Sequence, residues 1–168
     1  MSQRMKLNFG SGNDIYKGWD NADIQKGKGI AYSFDFNKYP YPLKDNTYDF
    51  IAARQVLQLL NSPDKCLDEL HRIAKPGAEV FITTSYWHNK GSHNDIKTRF
   101  YFNERSIALY VDHVCDINKR GKYKIIKIWR EPTWVGKLLV SEWLRSKVDL
   151  FVSGIYSNVC TKLKVLKR

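Results

Sequence analysis

The spacing of its short apolar runs limits the folds open to this chain more than any other feature. Lys6 to Phe9 stops at Gly10-Ser11-Gly12, Trp19 to Ile24 contains Asp23 at its end, and Ile30 to Phe34 stops at Asp35. Short apolar runs that end abruptly in glycine or acidic residues read as buried strands entering polar loops. Only nine residues, Gly10 to Gly18, separate the first run from the second, and five, Gln25 to Gly29, separate the second from the third. A parallel crossover ordinarily takes roughly a dozen residues or more and usually contains a helix. If the three runs pair in parallel, the N-terminal half has lost its helices.

The rest of the chain alternates more conventionally. Tyr48 to Ala53 is a buried strand and Val56 to Leu60 begins a helical pattern. Ser62 as N-cap, Pro63 at the first helical position and Asp64 in the first turn then open a helix with Leu67, Leu70, Ile73 and Ala74 at helical spacing. Lys75-Pro76-Gly77 stops it, and Glu79 to Thr84 is the next strand. The aromatic-rich stretch from Ser85 to Tyr101 is a long loop, and loops of that length in a compact domain are usually functional. Asn103 caps a helix to about Asp112, and Tyr123 to Trp129 is a strand. From Trp134 to about Tyr156 the apolar residues Val140, Leu144, Val148, Phe151 and Ile155 recur at helical spacing, with Lys137, Ser141, Arg145 and Asp149 opposite. That stripe is expected to pack on the sheet. Cys160 to Leu166 is the last strand. The order places the chain in the α/β class with a mainly parallel sheet.

A length of 168 residues fits a single domain, here 1–168, divided into a half ending at residue 85 and a remainder carrying the long loop, the C-terminal helix and the final strands. The net charge of +11 is unevenly placed: thirteen lysines and arginines meet three carboxylates from Ile117 onward, against fifteen and fourteen before it. Such an excess either attracts an anionic partner such as RNA, an acidic glycan or a lipid head group, or simply keeps the surface soluble. Cys66, Cys115 and Cys160 lack paired spacing and read as reduced thiols. With no apolar segment long enough for a signal peptide or a membrane span, a cytoplasmic location is expected.

The chemistry gathers at the strand ends. Gly10 and Gly12 let the backbone approach a ligand closely. Asp23, with Ile24 beside it, is suited to accept from the two hydroxyls of a ribose, and Asp35 from an exocyclic amine with Phe36 against the ring. All lie where ligands bind in open α/β sheets, at the carboxyl ends of strands. In the long loop His88 and His93 are the candidate general bases, with Tyr86, Trp87, Asp95, Arg99, Phe100 and Tyr101 around them. The spacing of His88, His93 and Asp95 is not read as a metal site.

Four segments in order, LNFGSG, GWDNADI, DFNKYPYPLKDNTYDFIAARQVLQLL and LDELHRIAKPGAEVFITTS, resemble the class I S-adenosylmethionine-dependent methyltransferases, and within them the small type 11 methyltransferase-domain group. The resemblance spans about Lys6 to Ser85. It implies a Rossmann-like, mainly parallel sheet flanked by helices, reduced in its N-terminal half, with the last strand antiparallel. It also implies S-adenosylmethionine as cofactor and in-line methyl transfer to an acceptor. Gly10 and Gly12 would then face the methionine part, Asp23 the ribose, Asp35 and Phe36 the adenine, and Arg54 and Gln55 the sulfonium. The chain departs from the group at Gln58-Leu59, where a Glu-His pair is usual, at Ala78 in place of glycine and at Ser85 in place of proline. A competing reading is a non-catalytic relative that binds nucleic acid or another anionic partner through its basic C-terminal third.

Overall fold

The structure, a computed structural model, describes residues 4–118 and 121–167, with the side chains of 113–118 outside the description. Its strands are β1 (Lys6–Phe9), β2 (Asp20–Asp23), β3 (Tyr32–Ser33), β4 (Tyr48–Arg54), β5 (Ala74–Ser85), β6 (Tyr123–Pro132) and β7 (Tyr156–Val165). They form one sheet in the order β3-β2-β1-β4-β5-β7-β6. β1 to β5 pair in parallel, and β7 runs antiparallel to both β5 and β6. The helices are α1 (Pro63–Ile73), α2 (Glu104–Asn118), α3 (Trp134–Leu138) and α4 (Glu142–Asp149).

The first two crossovers contain no helix: residues 10–19 and 24–31 are turns and bends. What closes the gap is polar. Asn8 and Asn21, 2% and 3% exposed, sit mid-strand where a parallel sheet ordinarily wants aliphatic residues. Asn8 donates to the Asp14 carbonyl and to Asn21 Oδ1. The Asn21 amide donates to the carbonyls of Tyr16, Trp19 and Gly29, and its oxygen accepts from the Tyr16 amide. Two side chains thus satisfy a crossover that lacks a helix's own hydrogen bonds.

The main core lies between the sheet and α1 and α2. Leu7, Ile51, Val80, Ile82 and Leu163 of the strands meet Leu67, Leu70 and Ile73 of α1 and Ile107 and Val111 of α2. Where a third crossover helix would lie, an aromatic cluster fills in: Phe36 stacks on Phe9 with centroids 4.0 Å apart, Tyr41 packs on both, and Phe34 packs on Phe36 and Tyr41. The opposite sheet face is covered near β1 and β4 by loop aromatics, with Trp19 edge-on to Phe50 and the Arg54 guanidinium over Tyr16.

The long C-terminal helix expected from Trp134 to Tyr156 is not formed. The segment holds two short helices, α3 and α4, and its apolar stripe is split: Val148 and Ile155 pack on Tyr86, Tyr156 and Val159, while Val140 and Phe151 are 92% and 87% exposed. The reason lies on the other side of α4, whose polar residues find better partners in the domain. Tyr156 and Arg130 donate to Glu142, Arg130 donates to Ser146, and Tyr86 donates to the buried Asp149 at 2.8 Å. β7 begins four residues before the expected Cys160, and β5 starts at Ala74 because Tyr48 pairs there through a bulge.

Candidate functional site

At the carboxyl ends of β1, β2 and β4 lies a cavity of about 1040 Å³. Gly10, Gly12, Asp23, Ile24, Asp35, Phe36, Arg54 and Gln55, the residues singled out in the sequence as cofactor-binding, all line it. The first strand's turn is tied to the second strand's end. The amides of Gly10 and Ser11 both donate to the Ala22 carbonyl, and the Gly12 amide donates to Asp23 Oδ2 at 2.8 Å.

The two glycines differ in what they make room for. Both have positive φ, +73° at Gly10 and +51° at Gly12. A Cβ on Gly10 would fall 2.0 Å from Val56 Cγ2, so that glycine is required by packing within the protein. A Cβ on Gly12 would meet no protein atom within 4 Å, so that position is open toward the cleft. Of the pair, Gly12 is the one that leaves room at the cleft.

Asp23 is braced on both oxygens, Oδ1 accepting from the Gln25 amide at 3.0 Å. A carboxylate has lone pairs beyond those two bonds, so a fixed acceptor remains available for hydroxyl donors. Asp35 Oδ1 accepts from the Asn37 amide at 2.9 Å, and no other side-chain bond engages this carboxylate among the described residues. Phe36 is 6% exposed and its ring is committed to Phe9, so it offers the cleft an edge and not a free stacking face. Ile24, 60% exposed, supplies the apolar side. Ser11 Oγ is buried without a hydrogen-bond partner among the described residues.

Arg54 donates to the Tyr16 hydroxyl, which directs its charge across the glycine turn. Gln55 takes a left-handed conformation, φ +53°, and turns its amide into a polar chain: it accepts from Gln58 and Ser85 and donates to Asn158. Gln58 and Ser85, two of the positions that depart from the group's pattern, are therefore joined through Gln55. Of the long-loop candidates Arg99 lines the cavity, together with Ile96, Lys97 and Thr98, which sequence reasoning passed over. They are held there because the amides of Arg99 and Phe100 donate to the Gln58 carbonyl. No periodicity marks such a bond; only the unusual length of the loop pointed to it.

Neither candidate base lines this cavity. His88 lies 3.5 Å from Asp149 and stacks on Trp87, and His93 contacts the Trp87 carbonyl and stacks on Tyr101. Tyr86 is drawn into the same group, where burial pushes its hydroxyl up to about 12. Among the described residues no group of three histidine, cysteine or carboxylate side chains is placed to hold a metal ion.

Residues 12–82 match the family described as the methyltransferase domain. The chain is 29% identical over 96 residues to cycloartenol-C-24-methyltransferase 1 of Oryza sativa subsp. japonica, covering 52% of this chain and 28% of that protein. It is 28% identical over 99 residues to phosphoethanolamine N-methyltransferase 2 of Caenorhabditis elegans, covering 58% of this chain and 22% of that one. The chain thus spans only about a quarter of the length of the curated relatives it matches. A solved SAM dependent methyltransferase from Archaeoglobus fulgidus superimposes with a TM-score of 0.65 at 15% identity, over 96% of this chain and 86% of that one. At that identity the superposition speaks for the fold.

Proposed function

We propose that the chain is a class I S-adenosylmethionine-dependent methyltransferase whose cleft holds S-adenosylmethionine while an acceptor is presented beside residues 96–99. The observation that carries the proposal is the convergence of Gly12, Asp23 and Asp35, from three successive strand ends, on one cavity. The residues fit the group. Gly12 leaves open space for close approach, Asp23 is a braced acceptor for vicinal hydroxyls, Asp35 retains acceptor capacity for an amine, and Ile24 and the Phe36 edge supply apolar walls.

The bound cofactor supplies a methyl group on a sulfonium, already activated for displacement. What remains for the protein is alignment and exclusion of water. Arg54 and Gln55 end β4 at the cleft wall, and the Gln55 carboxamide is fixed by three hydrogen bonds, so its neighbours present a preset surface. Without a helix after β1, no helix dipole faces this turn; Arg54, Lys97 and Arg99 on the lining supply the local positive charge. His88 and His93 stay engaged elsewhere, so the proposed reaction relies on positioning and not on either histidine.

Isothermal titration with S-adenosylhomocysteine tests the reading. Saturable binding is expected, and Asp23→Ala should weaken it by about 1–3 kcal/mol through loss of the ribose acceptor. Absence of binding at high ligand concentration by a protein that remains folded would overturn the proposal.

A further inference from the structure

Between β6 and β7 the chain leaves the sheet for the segment holding α3 and α4, and that segment is built inside out for a soluble helix pair. The inward side of α4 is mainly polar: Glu142, Ser146 and Asp149 bind Arg130, Tyr86 and Tyr156, Arg145 donates to the Gly136 carbonyl at 2.9 Å, and Val148 alone of its apolar residues packs on the Tyr86 and Tyr156 cluster. The outward side is apolar. Trp134, Leu138, Val140, Trp143, Leu150 and Phe151 are each between 69% and 92% exposed. An exposed apolar patch of this kind marks an interaction surface.

The segment is firmly seated. Thr133 Oγ1 donates to the Gly154 carbonyl at 2.7 Å and accepts from the Gly136 amide. Gly136 lies so close beneath the Ile155 carbonyl that a Cβ there would fall 2.1 Å from its oxygen. The apolar residues are therefore held outward by a fixed base.

Charge tells what should cover them. Both carboxylates of the segment are consumed on the protein side: Glu142 pairs with Arg130 and Arg145, and Asp149 is 6% exposed beside Arg130 and His88. Lys137 and Lys147 are exposed and form no ion pair among the described residues. The face therefore shows tryptophan, leucine, valine and phenylalanine, and its unpaired charges among the described residues are cationic. A second copy meeting it across a two-fold axis would set like charges against each other. Side chains this exposed are enclosed more readily by fluid acyl chains than by a preformed protein groove. No helix of the described residues is long and apolar enough to cross a membrane, so the fitting mode is interfacial.

We propose that the α3–α4 segment is an interfacial anchor for an anionic lipid bilayer, with its aromatic and aliphatic side chains in the head-group and acyl boundary and Lys137 and Lys147 on the lipid phosphates. The segment rises from the ends of β6 and β7, and Asn158 of β7 binds Gln55 at the cleft, so the surface adjoins the same end of the sheet as the cavity. The anchor does not depend on the methyltransferase reading.

Co-sedimentation with phosphatidylcholine vesicles, with and without phosphatidylglycerol, tests it. The protein should sediment with the anionic vesicles and only weakly with the neutral ones. Trp143→Ser with Phe151→Ser should lower the partition by at least about tenfold, while Lys137→Ala with Lys147→Ala should remove the preference for phosphatidylglycerol. Both double variants should keep the parent melting temperature, since the changed residues point outward. Failure of the parent protein to sediment with anionic vesicles, or a Trp143/Phe151 variant that sediments like the parent, would overturn the proposal. So would a dimer in sedimentation velocity that the same variant dissociates, because a second copy would then be the occupant.

Discussion

Gly10→Ala and Gly12→Ala should separate two demands that a glycine turn usually confounds. At Gly10 an alanine meets a left-handed backbone, φ +73°, which costs an L residue about 1–2 kcal/mol. Its Cβ also falls 2.0 Å from Val56 Cγ2 in the buried core, and overpacking of that kind costs about 1–3 kcal/mol. The total is about 2–5 kcal/mol, or a fall in melting temperature of roughly 4–20 °C for a chain of this size. At Gly12 only the backbone cost of about 1–2 kcal/mol applies, because the new methyl enters open space. Urea denaturation followed by tryptophan fluorescence gives both stabilities, and titration with S-adenosylhomocysteine gives both affinities. Gly10→Ala should lose mainly stability and Gly12→Ala mainly affinity. Val56→Ala removes the obstructing methyl, so it should offset part of the Gly10→Ala loss, leaving the double variant about 1–3 kcal/mol better than additivity. Additive losses at Gly10 and Val56, or a Gly12 variant less stable than the Gly10 one, would refute the assignment.

Asp149→Ala would leave the Tyr86 hydroxyl and one side of Arg130 without their acceptor at a nearly dry site; a loss of about 2–4 kcal/mol in urea denaturation is expected, and an unchanged midpoint would count against the inward polar face of α4. Stability should also fall with acid. Burial holds the His71 imidazole below its ordinary pKa, and a hydrogen bond from Lys75 holds Asp49 below the usual carboxylate range. In each case the unfolded chain binds the proton more readily. His71 therefore contributes fully above about pH 6.5 and Asp49 above about pH 4, and both contributions are lost as pH falls. Urea midpoints from pH 7 to pH 5 should decline, less steeply in His71→Gln; a rise would show the sign to be wrong. Cys66 and Cys160 are both pushed up to about 12 by burial, so peptide mapping after iodoacetamide treatment should find them alkylated only after denaturation, whereas rapid native labelling would refute that burial.

Most of the sheet and the cleft could be read from the chain because local signals agreed with the tertiary outcome. The punctuation of apolar runs by Gly10, Asp23 and Asp35 placed the strand ends, and the short gaps foretold crossovers without helices. The C-terminal segment went the other way for an identifiable reason. Its 3.6-residue apolar period was real, yet helical periodicity says only that one side differs from the other. Which side faces the domain depended on Arg130, Tyr86 and Tyr156, all outside the segment, offering partners to Glu142, Ser146 and Asp149. The same limit applied to His88 and His93. A histidine in a functional loop invites a catalytic reading, but Asp149 and the Trp87 carbonyl, which claim these two, are assembled only by the fold.

Loss of the first crossover helix also explains the most unusual strand residues. A helix after β1 would satisfy its own backbone groups and cover the sheet with aliphatic side chains; a ten-residue connection without one does neither. Asn8 and Asn21 supply from within the strands the donors and acceptor that the Asp14, Tyr16, Trp19 and Gly29 backbone groups need. Replacing Asn21 with a near-isosteric leucine would strand several of those groups at once, and replacing Asn8 would strand the Asp14 carbonyl, so a substitution that raises the hydrophobicity of a strand interior should here destabilise it. Because the same turn continues into Gly12, whose amide binds Asp23, the asparagines also hold the cleft's glycine in place. In this chain the fixed geometry that a helix N-terminus would give a ligand is carried instead by two amide side chains buried in the sheet.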